Sequence, residues 1–386
     1  MRISEVATVV VGAELRNWVF VKVTTDEGLV GWGEATLEWQ TRAVVGAVDD
    51  LRPLLLGEDA MRTEHLWQSM CRHHFFKGGI VTMSAISGIE QALHDVKAKA
   101  LGVPLYQLLG GSVRDRLRFY DHLGGGDSSA VYETGSPEAF GEAAARSVAD
   151  GFDALKILAV PVGAPLSGSA GIRLAVARMA AVREAVGPDV DVMVDLHGRT
   201  SPAMAIRYGR ALAPYDPWFL EEPTQPEDIG ALRGIADAVP VPIATGERLI
   251  GRRAFVDLLA ERACAVIQPD VCHCGGVAEL KRIAALAESY GVAVAPHNPL
   301  GPVATAVNVH IGLSTSNLLI QEVMRADVPW RQEVVTGELA EVGPSVGLPS
   351  APAIGVEVDE DAAACHPYAP EPQLRTLLDD GSVADW

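Results

Sequence analysis

The chain has 386 residues, 48% hydrophobic and 21% charged, enough to bury a large core in two domains, and no apolar run nears the roughly 18 residues of a membrane span. A net charge of −19 argues against nucleic acid, because phosphate binding calls for a basic stripe. Five scattered cysteines do not read as a disulfide framework, and with no secretory leader pattern after Met1 the expectation is a cytoplasmic protein with reduced thiols.

Residues 2–36 read as an antiparallel meander. Ile3 to Val11 is β-branched, Trp18 to Val23 alternates, and Asp26-Glu27-Gly28 turns the chain into Leu29 to Trp32. Gly12 to Asn17, between the first two strands, reads as a polar loop. Helical periodicity follows over Gln40 to Leu56, Thr63 to His74 and Met83 to Leu101. His73-His74-Phe75-Phe76 reads as either helix-end packing or part of a lid. This makes residues 1–115 an α+β unit, closed off at Gly110-Gly111-Ser112, and the tail 353–386 is expected to return to it.

From Leu117 onward strands alternate with helices. Strands near residues 117, 154, 191, 218, 243, 266, 292 and 319 number eight, which predicts a parallel α/β barrel over residues 116–352. Within it, Pro161 to Gly171 reads as a mobile insertion, and Gly355 to Asp359 beyond it as a short strand.

Asp195, Glu221, Glu247, Asp270, His297 and Glu322 each end a short apolar run and recur every 23 to 27 residues. In a βα barrel, side chains at the C-terminal ends of the strands gather at the mouth. Asp195, Glu221 and Glu247 then stand side by side as three mutually repelling carboxylates, which a divalent cation would stabilise; oxygen donors point to Mg²⁺, with Mn²⁺ as the alternative. His197 and His297 lie on opposite sides of that mouth, an arrangement suited to acid–base chemistry. Asp270 would orient His297 and favour its cationic form. Glu322 could hydrogen-bond a developing negative charge, particularly as a protonated carboxyl, and Lys156 either contacts an anionic substrate or partners the carboxylates. Cys272-His273-Cys274 lacks the paired spacing of a zinc motif and reads as ordinary loop.

In order along the chain, Thr25-Asp26-Glu27-Gly28, Gly31-Trp32-Gly33-Glu34, Asp195-Leu196-His197-Gly198-Arg199, Glu221-Glu222-Pro223, Gly246-Glu247-Arg248, Gln268-Pro269-Asp270 and Ala295-Pro296-His297-Asn298-Pro299 resemble the enolase superfamily. Within its mandelate racemase/muconate lactonizing branch they are most similar to the galactonate dehydratase-like sugar-acid dehydratases. The resemblance implies a modified (β/α) barrel under an α+β capping domain, Mg²⁺ on Asp195, Glu221 and Glu247, and a homo-oligomer, often an octamer. It also implies that capping loops around Gly12 to Trp18 and His73 to Lys77 close over a small sugar-acid substrate. The implied reaction is C2 proton abstraction by His297, departure of the C3 hydroxyl with a proton from His197, and a 2-keto-3-deoxy acid as product, with Lys156 and Glu322 assisting.

The racemases and cycloisomerases of the branch carry Lys-x-Lys on the second strand, whereas this chain reads Lys156-Ile157-Leu158. That substitution counts against simple racemisation. Epimerisation or cycloisomerisation of a related acid, and a catalytically silent metabolite-binding barrel, are the alternatives.

Overall fold

The structure is a computed structural model that describes residues 1–124, 135–325, 327–371, 375–378 and 380–385; the terminal Trp386 lies outside the described residues. Strands β1 (Ile3–Ala13), β2 (Arg16–Thr25) and β3 (Val30–Glu34) form an antiparallel sheet in that order. Pairing runs on through Gly12↔Asn17 and Ala13↔Arg16, so the polar loop expected at Gly12 to Asn17 is instead a two-residue hairpin. Glu14 takes φ +59° at its turn, the left-handed backbone that tight hairpins favour. The stretch is polar because its side chains are consumed elsewhere. Arg16 and Asn17 are buried, with Arg16 Nη1 donating to Pro299 O at 2.6 Å and Asn17 Nδ2 to Ala369 O at 2.9 Å.

Helices α1 (Thr41–Leu51), α2 (Thr63–Arg72), α3 (Ile80–Leu101) and α4 (Leu105–Leu108) complete the N-terminal unit. α1 stops short of Leu56 because Pro53, which lacks an N–H, sits in a 3₁₀ turn over Arg52–Leu54. α3 lies directly on β3: a Cβ at Gly33 would meet Gly88 O at 2.0 Å, so only glycine permits that approach.

The barrel follows as β4 (Arg116–His122), α5 (Pro137–Ala149), β5 (Ala154–Ile157), α6 (Ser169–Val186), β6 (Asp191–Asp195), α7 (Pro202–Leu212), β7 (Leu220–Glu221) and α8 (Ile229–Ala238). It continues through β8 (Ile243–Thr245), α9 (Gly251–Ala260), β9 (Val266–Ile267), α10 (Val277–Ser289), β10 (Ala293–Val294), α11 (Pro302–Leu313) and β11 (Gln321–Val323). The strands pair in parallel from β4 round to β10, with β11 on the other edge of β4. The ring joins where Val294 bridges Leu318, with Val294 N–H donating to Asn317 O at 3.0 Å and Leu319 N–H to Val294 O at 2.8 Å. Pro161 to Gly171 is tied to α7 and its N-cap: Ser201 Oγ donates to Pro165 O, and Arg207 Nη1 donates to Ser167 O at 2.7 Å.

The eighth unit departs from the regular pattern. After β11 the chain runs through a 3₁₀ turn at Arg331–Val334 into β12 (Val335–Thr336), and then lays β13 (Ser345–Gly347) antiparallel on the start of β4. β14 (Glu357–Val358), shorter than the strand expected there, and α12 (Glu360–Ala364) carry the tail back to the N-terminal sheet. Gly12 N–H donates to His366 O at 2.8 Å, and Ala369 N–H to Asn17 Oδ1 at 2.9 Å. Among the described residues no helix is long and apolar enough to cross a membrane.

Two buried carboxylates of the N-terminal unit are paired across its seam with the barrel. Glu34, at the end of β3, accepts the backbone N–H of Gly301 at 2.7 Å and of Ala304 at 2.8 Å, which caps α11. Glu90, from α3, accepts Val277 N–H at 2.7 Å and Ala278 N–H at 3.0 Å and caps α10 in the same way. Both helices begin just after strand ends that carry site residues. A carboxylate at a helix N-terminus answers both the orphan N–H groups and the helix dipole. Glu34→Ala should therefore lower stability by about 1–3 kcal/mol in urea unfolding, and Glu34→Gln, which keeps one acceptor, by less.

Candidate active site

Strand alternation builds the site as a layer. Tyr120, Ala154, Met193, Phe219, Ala244, Val266, Ala295 and Ile320, one from each strand or its immediate flank, fill the barrel interior. Because side chains repeat every second residue, the residues two positions on point into the same space. These are His122, Lys156, Asp195, Glu221, Gly246, Gln268, His297 and Glu322. An apolar plug thus carries a polar layer, and the sequence period of 23 to 27 residues is the length of one βα unit of that ring.

Lys156 is the counter-charge at its centre. Its side chain is wholly buried, with Nζ on Glu221 Oε1 and 2.6 Å from Glu322 Oε1. It therefore partners the carboxylates in this structure. Burial works against its charge, but Glu221 and Glu322 hold its pKa well above the usual lysine value. Burial also pushes the Glu322 carboxyl up, yet Lys156, His122 and His297 outweigh it and keep Glu322 well below the ordinary range. Glu322 is thus a carboxylate, which corrects the idea of a protonated donor: it accepts, taking the Asn298 N–H at 2.7 Å.

Asp195, Glu221 and Glu247 occupy the ends of β6, β7 and β8. Burial, with Lys156 opposing, raises the carboxyl of Asp195. Burial and the neighbouring Asp195 and Glu322 carry Glu221 to about 7 against the pull of Lys156. Burial raises Glu247 well above its usual value, with Glu222, Glu221 and Asp195 adding to it and His297 opposing. Several oxygens of the trio already have donors: Asp195 Oδ1 takes the His197 N–H at 2.6 Å, and Glu221 Oε2 takes Gln268 Nε2 at 2.5 Å. Glu247 Oε2 is buried with no hydrogen-bond partner among the described residues. No three His, Cys, Asp or Glu side chains among those residues are drawn up to ligate one ion. The donor chemistry nevertheless suits a hard divalent cation: three oxygen ligands, mutual repulsion, and an orphaned acceptor.

Glu222, beside Glu221, has a different task. It accepts Thr245 Oγ1 at 2.6 Å, Gly246 N–H at 2.9 Å, and Arg248 Nε and Nη2 at 2.8 and 2.6 Å. Fully satisfied, it fixes the turn that carries Glu247.

Across the mouth, His297 Nδ1 lies 2.7 Å from Asp270 Oδ2, and Nε2 lies 3.7 Å from Glu247 Oε2. Burial lowers the imidazole pKa, but Glu247, Asp270 and Glu322 together push it up to about 10. Asp270 is held in turn by the Cys272 N–H at 2.6 Å. Arg331 Nη2 donates to Leu300 O at 2.7 Å, so Arg16, Glu34, Glu322 and Arg331 together brace the segment after His297. His197 sits in the turn after β6 at φ +55°, a left-handed conformation unusual for histidine, and the next residue ties that turn to β7 through Gly198 N–H to Glu222 O at 2.7 Å.

Above the polar layer, Leu158 packs on Met324 as a small apolar pair. Arg16 Nη2 comes to 3.7 Å of the Met324 sulfur, so the β1–β2 hairpin does reach the mouth. The His73 to Lys77 stretch does not pack as a helix end: Phe75 and Phe76 are each 91% exposed. Cys272 and Cys274 are buried, and burial first, then Asp270, raises both thiols well above their usual value, as core residues rather than ligands. His122 was absent from the sequence expectations, and Gln268 entered them only within the motif Gln268-Pro269-Asp270, without a role. Counting two residues on from each apolar plug position would have found both.

Comparison with known proteins agrees with this architecture. Residues 139–362 match the enolase C-terminal domain-like family model, and residues 4–110 match that of the mandelate racemase / muconate lactonizing enzyme N-terminal domain. The D-galactonate dehydratase of Variovorax paradoxus is 39% identical over 381 residues, covering 96% of this chain and 97% of the relative. That of Ralstonia nicotianae is 40% identical over 380 residues, with coverage of 96% and 97%. A solved mandelate racemase/muconate lactonizing enzyme-like protein from Rubrobacter xylanophilus superimposes with TM-score 0.89 at 36% identity, covering 96% and 98% of the two chains.

Lys156→Met would leave Glu221 and Glu322 buried without their cation, a loss of about 3–5 kcal/mol at neutral pH. Glu322 has a folded pKa below its unfolded value near 4.5, so its contribution is present above pH 4.5 and fades as pH falls. The gap between variant and wild type in chemical unfolding should therefore narrow on acidification.

Proposed function

Because this chain belongs to the mandelate racemase/muconate lactonizing family of the enolase superfamily, we propose that it removes water from a sugar acid, a galactonate-like aldonate or an aldarate, to give a 2-keto-3-deoxy acid. The observation that carries the reading is the dyad of Asp270 and His297 at 2.7 Å, whose second nitrogen faces the carboxylates of the barrel mouth. The activity of the curated relatives supports it.

Asp195, Glu221 and Glu247 would hold Mg²⁺, or Mn²⁺ in its place. A divalent cation there supplies positive charge that makes the proton α to a carboxylate more acidic. The remaining work falls to this chain. Glu247 is the largest of the charges that hold His297 protonated; with that carboxylate neutralised by a bound cation, Asp270 would fix the Nδ1–H tautomer of His297 and leave Nε2 to take the C2 proton. The C2–H electron pair becomes the C2=C3 bond, and the C3–O pair leaves with the hydroxyl, which His197 protonates to water. The resulting enol takes a proton at C3 and becomes the 2-keto acid. Lys156 keeps positive charge beside the substrate's carboxylate end, and Glu322 keeps Lys156 in place. Leu158 offers no second base, so elimination is favoured over racemisation. A homo-oligomer belongs to the same reading, and light scattering on the purified protein checks it.

A panel of aldonates and aldarates, galactonate included, incubated with Mg²⁺ and followed by NMR should give a 2-keto-3-deoxy acid from at least one; no such product from any of them rejects the reading. Chelation should abolish turnover. His297→Asn should lower kcat by about 10²–10⁴ and stop solvent deuterium entering at C2. His197→Asn should slow dehydration while C2 exchange persists.

A further inference from the structure

His122 ends β4 in the same polar layer as Lys156 and Glu322, yet neither the reaction above nor the family motifs give it a task. Its backbone pairs with Lys156 across β4 and β5, and Tyr120, two residues earlier, points into the barrel plug. The imidazole therefore faces inward. It is 7% exposed, and its Nδ1 lies 3.1 Å from Glu322 Oε1, near enough for a hydrogen bond but out of line for one. Neither ring nitrogen has an aligned hydrogen-bond partner among the described residues. A buried imidazole left in that state costs free energy unless something else completes it.

The surroundings decide the tautomer. Burial and the neighbouring ammonium of Lys156 both lower the His122 pKa, so the ring is neutral and carries one N–H. Glu322 is a carboxylate, and a lone pair aimed at it would be repelled; the proton therefore sits on Nδ1, toward Glu322. Nε2 is left as a buried acceptor. Its natural partner is an O–H donor, whereas a second carboxylate would be repelled.

We propose that His122 is a substrate-binding residue that accepts a hydrogen bond from a hydroxyl of the sugar acid at Nε2, with its Nδ1–H turned toward Glu322. This rests on the reading of the site as a sugar-acid dehydratase and adds to it a contact that distinguishes acids by their hydroxyl pattern. A site built to pair a substrate hydroxyl discriminates against the analogue lacking it, because the protein group is then left unpaired.

The test compares wild type, His122→Ala and His122→Asn on the acid that wild type turns over best and on its analogues lacking one hydroxyl at C4, C5 or C6. For the parent acid, His122→Ala should lower kcat/KM about 10–100-fold, mainly through KM. One deoxy analogue should be poor with wild type and lose little further in the variant. His122→Asn, whose amide oxygen can accept, should recover part of the loss. Equal losses on parent and every analogue, or an unchanged kcat/KM with only a lower Tm, overturn the proposal. Should wild type turn over no acid sugar, the dehydratase reading fails by itself, and calorimetric titration of the Mg²⁺-loaded proteins with galactonate decides the contact. Weaker binding by His122→Ala than by wild type then upholds it, and equal or absent binding overturns it.

Discussion

The whole molecule is arranged around a surplus of buried negative charge. Asp195, Glu221, Glu247, Asp270 and Glu322 converge on one end of the barrel, and Lys156 is the cation buried among them. Like charges in a low-dielectric space raise one another's pKa values, and the direction at Asp195, Glu221 and Glu247 is upward while Glu322, which has two imidazoles as well as the ammonium acting on it, goes the other way. The site is thus electrically incomplete on the side of the trio and complete on the side of Glu322. Such an asymmetry suits a cation on one side and a positioned ammonium on the other.

The barrel plug and the capping unit each hold this arrangement in place. Below, eight apolar side chains, one per strand, set the height at which the polar layer begins. Above and to the side, the capping unit reaches the segments after β9 and β10 through Glu34, Glu90, Arg16 and Gln91, whose Nε2 donates to Val271 O at 3.2 Å. His297 and Asp270 sit in those two segments. Their geometry therefore depends on residues more than 150 positions away in sequence, such as Gln91 to Val271 at 180.

Much of this was legible in advance. A repeat of acidic residues closing apolar runs is a direct trace of parallel strands ending at a common rim, and Asp195, Glu221, Glu247, Asp270, His297 and Glu322 were visible through it. His122 was not, because the trace was followed through charge, and an uncharged ring on the first strand breaks no pattern of acids. The Gly12 to Asn17 stretch was misread because its polarity is spent on partners 283 and 352 residues away, which local pattern does not report. Polar content there marked the buried anchors Arg16 and Asn17, not a solvated loop. For Pro161 to Gly171, the donors that tie it down, Ser201 and Arg207, lie some 36 to 40 residues on, at the N-cap of α7 and within it.

The two acidic helix caps have a mechanical consequence. Swinging the capping unit away from the barrel as a rigid body would strip Glu34 and Glu90 of four backbone donors at once and leave both carboxylates, each about wholly buried, facing the open ends of α11 and α10. Few solvent-borne ligands could compensate such a rupture. Separation of the two halves as rigid bodies is therefore disfavoured, whereas the segment bearing Phe75 and Phe76, whose rings are exposed, takes no part in these caps.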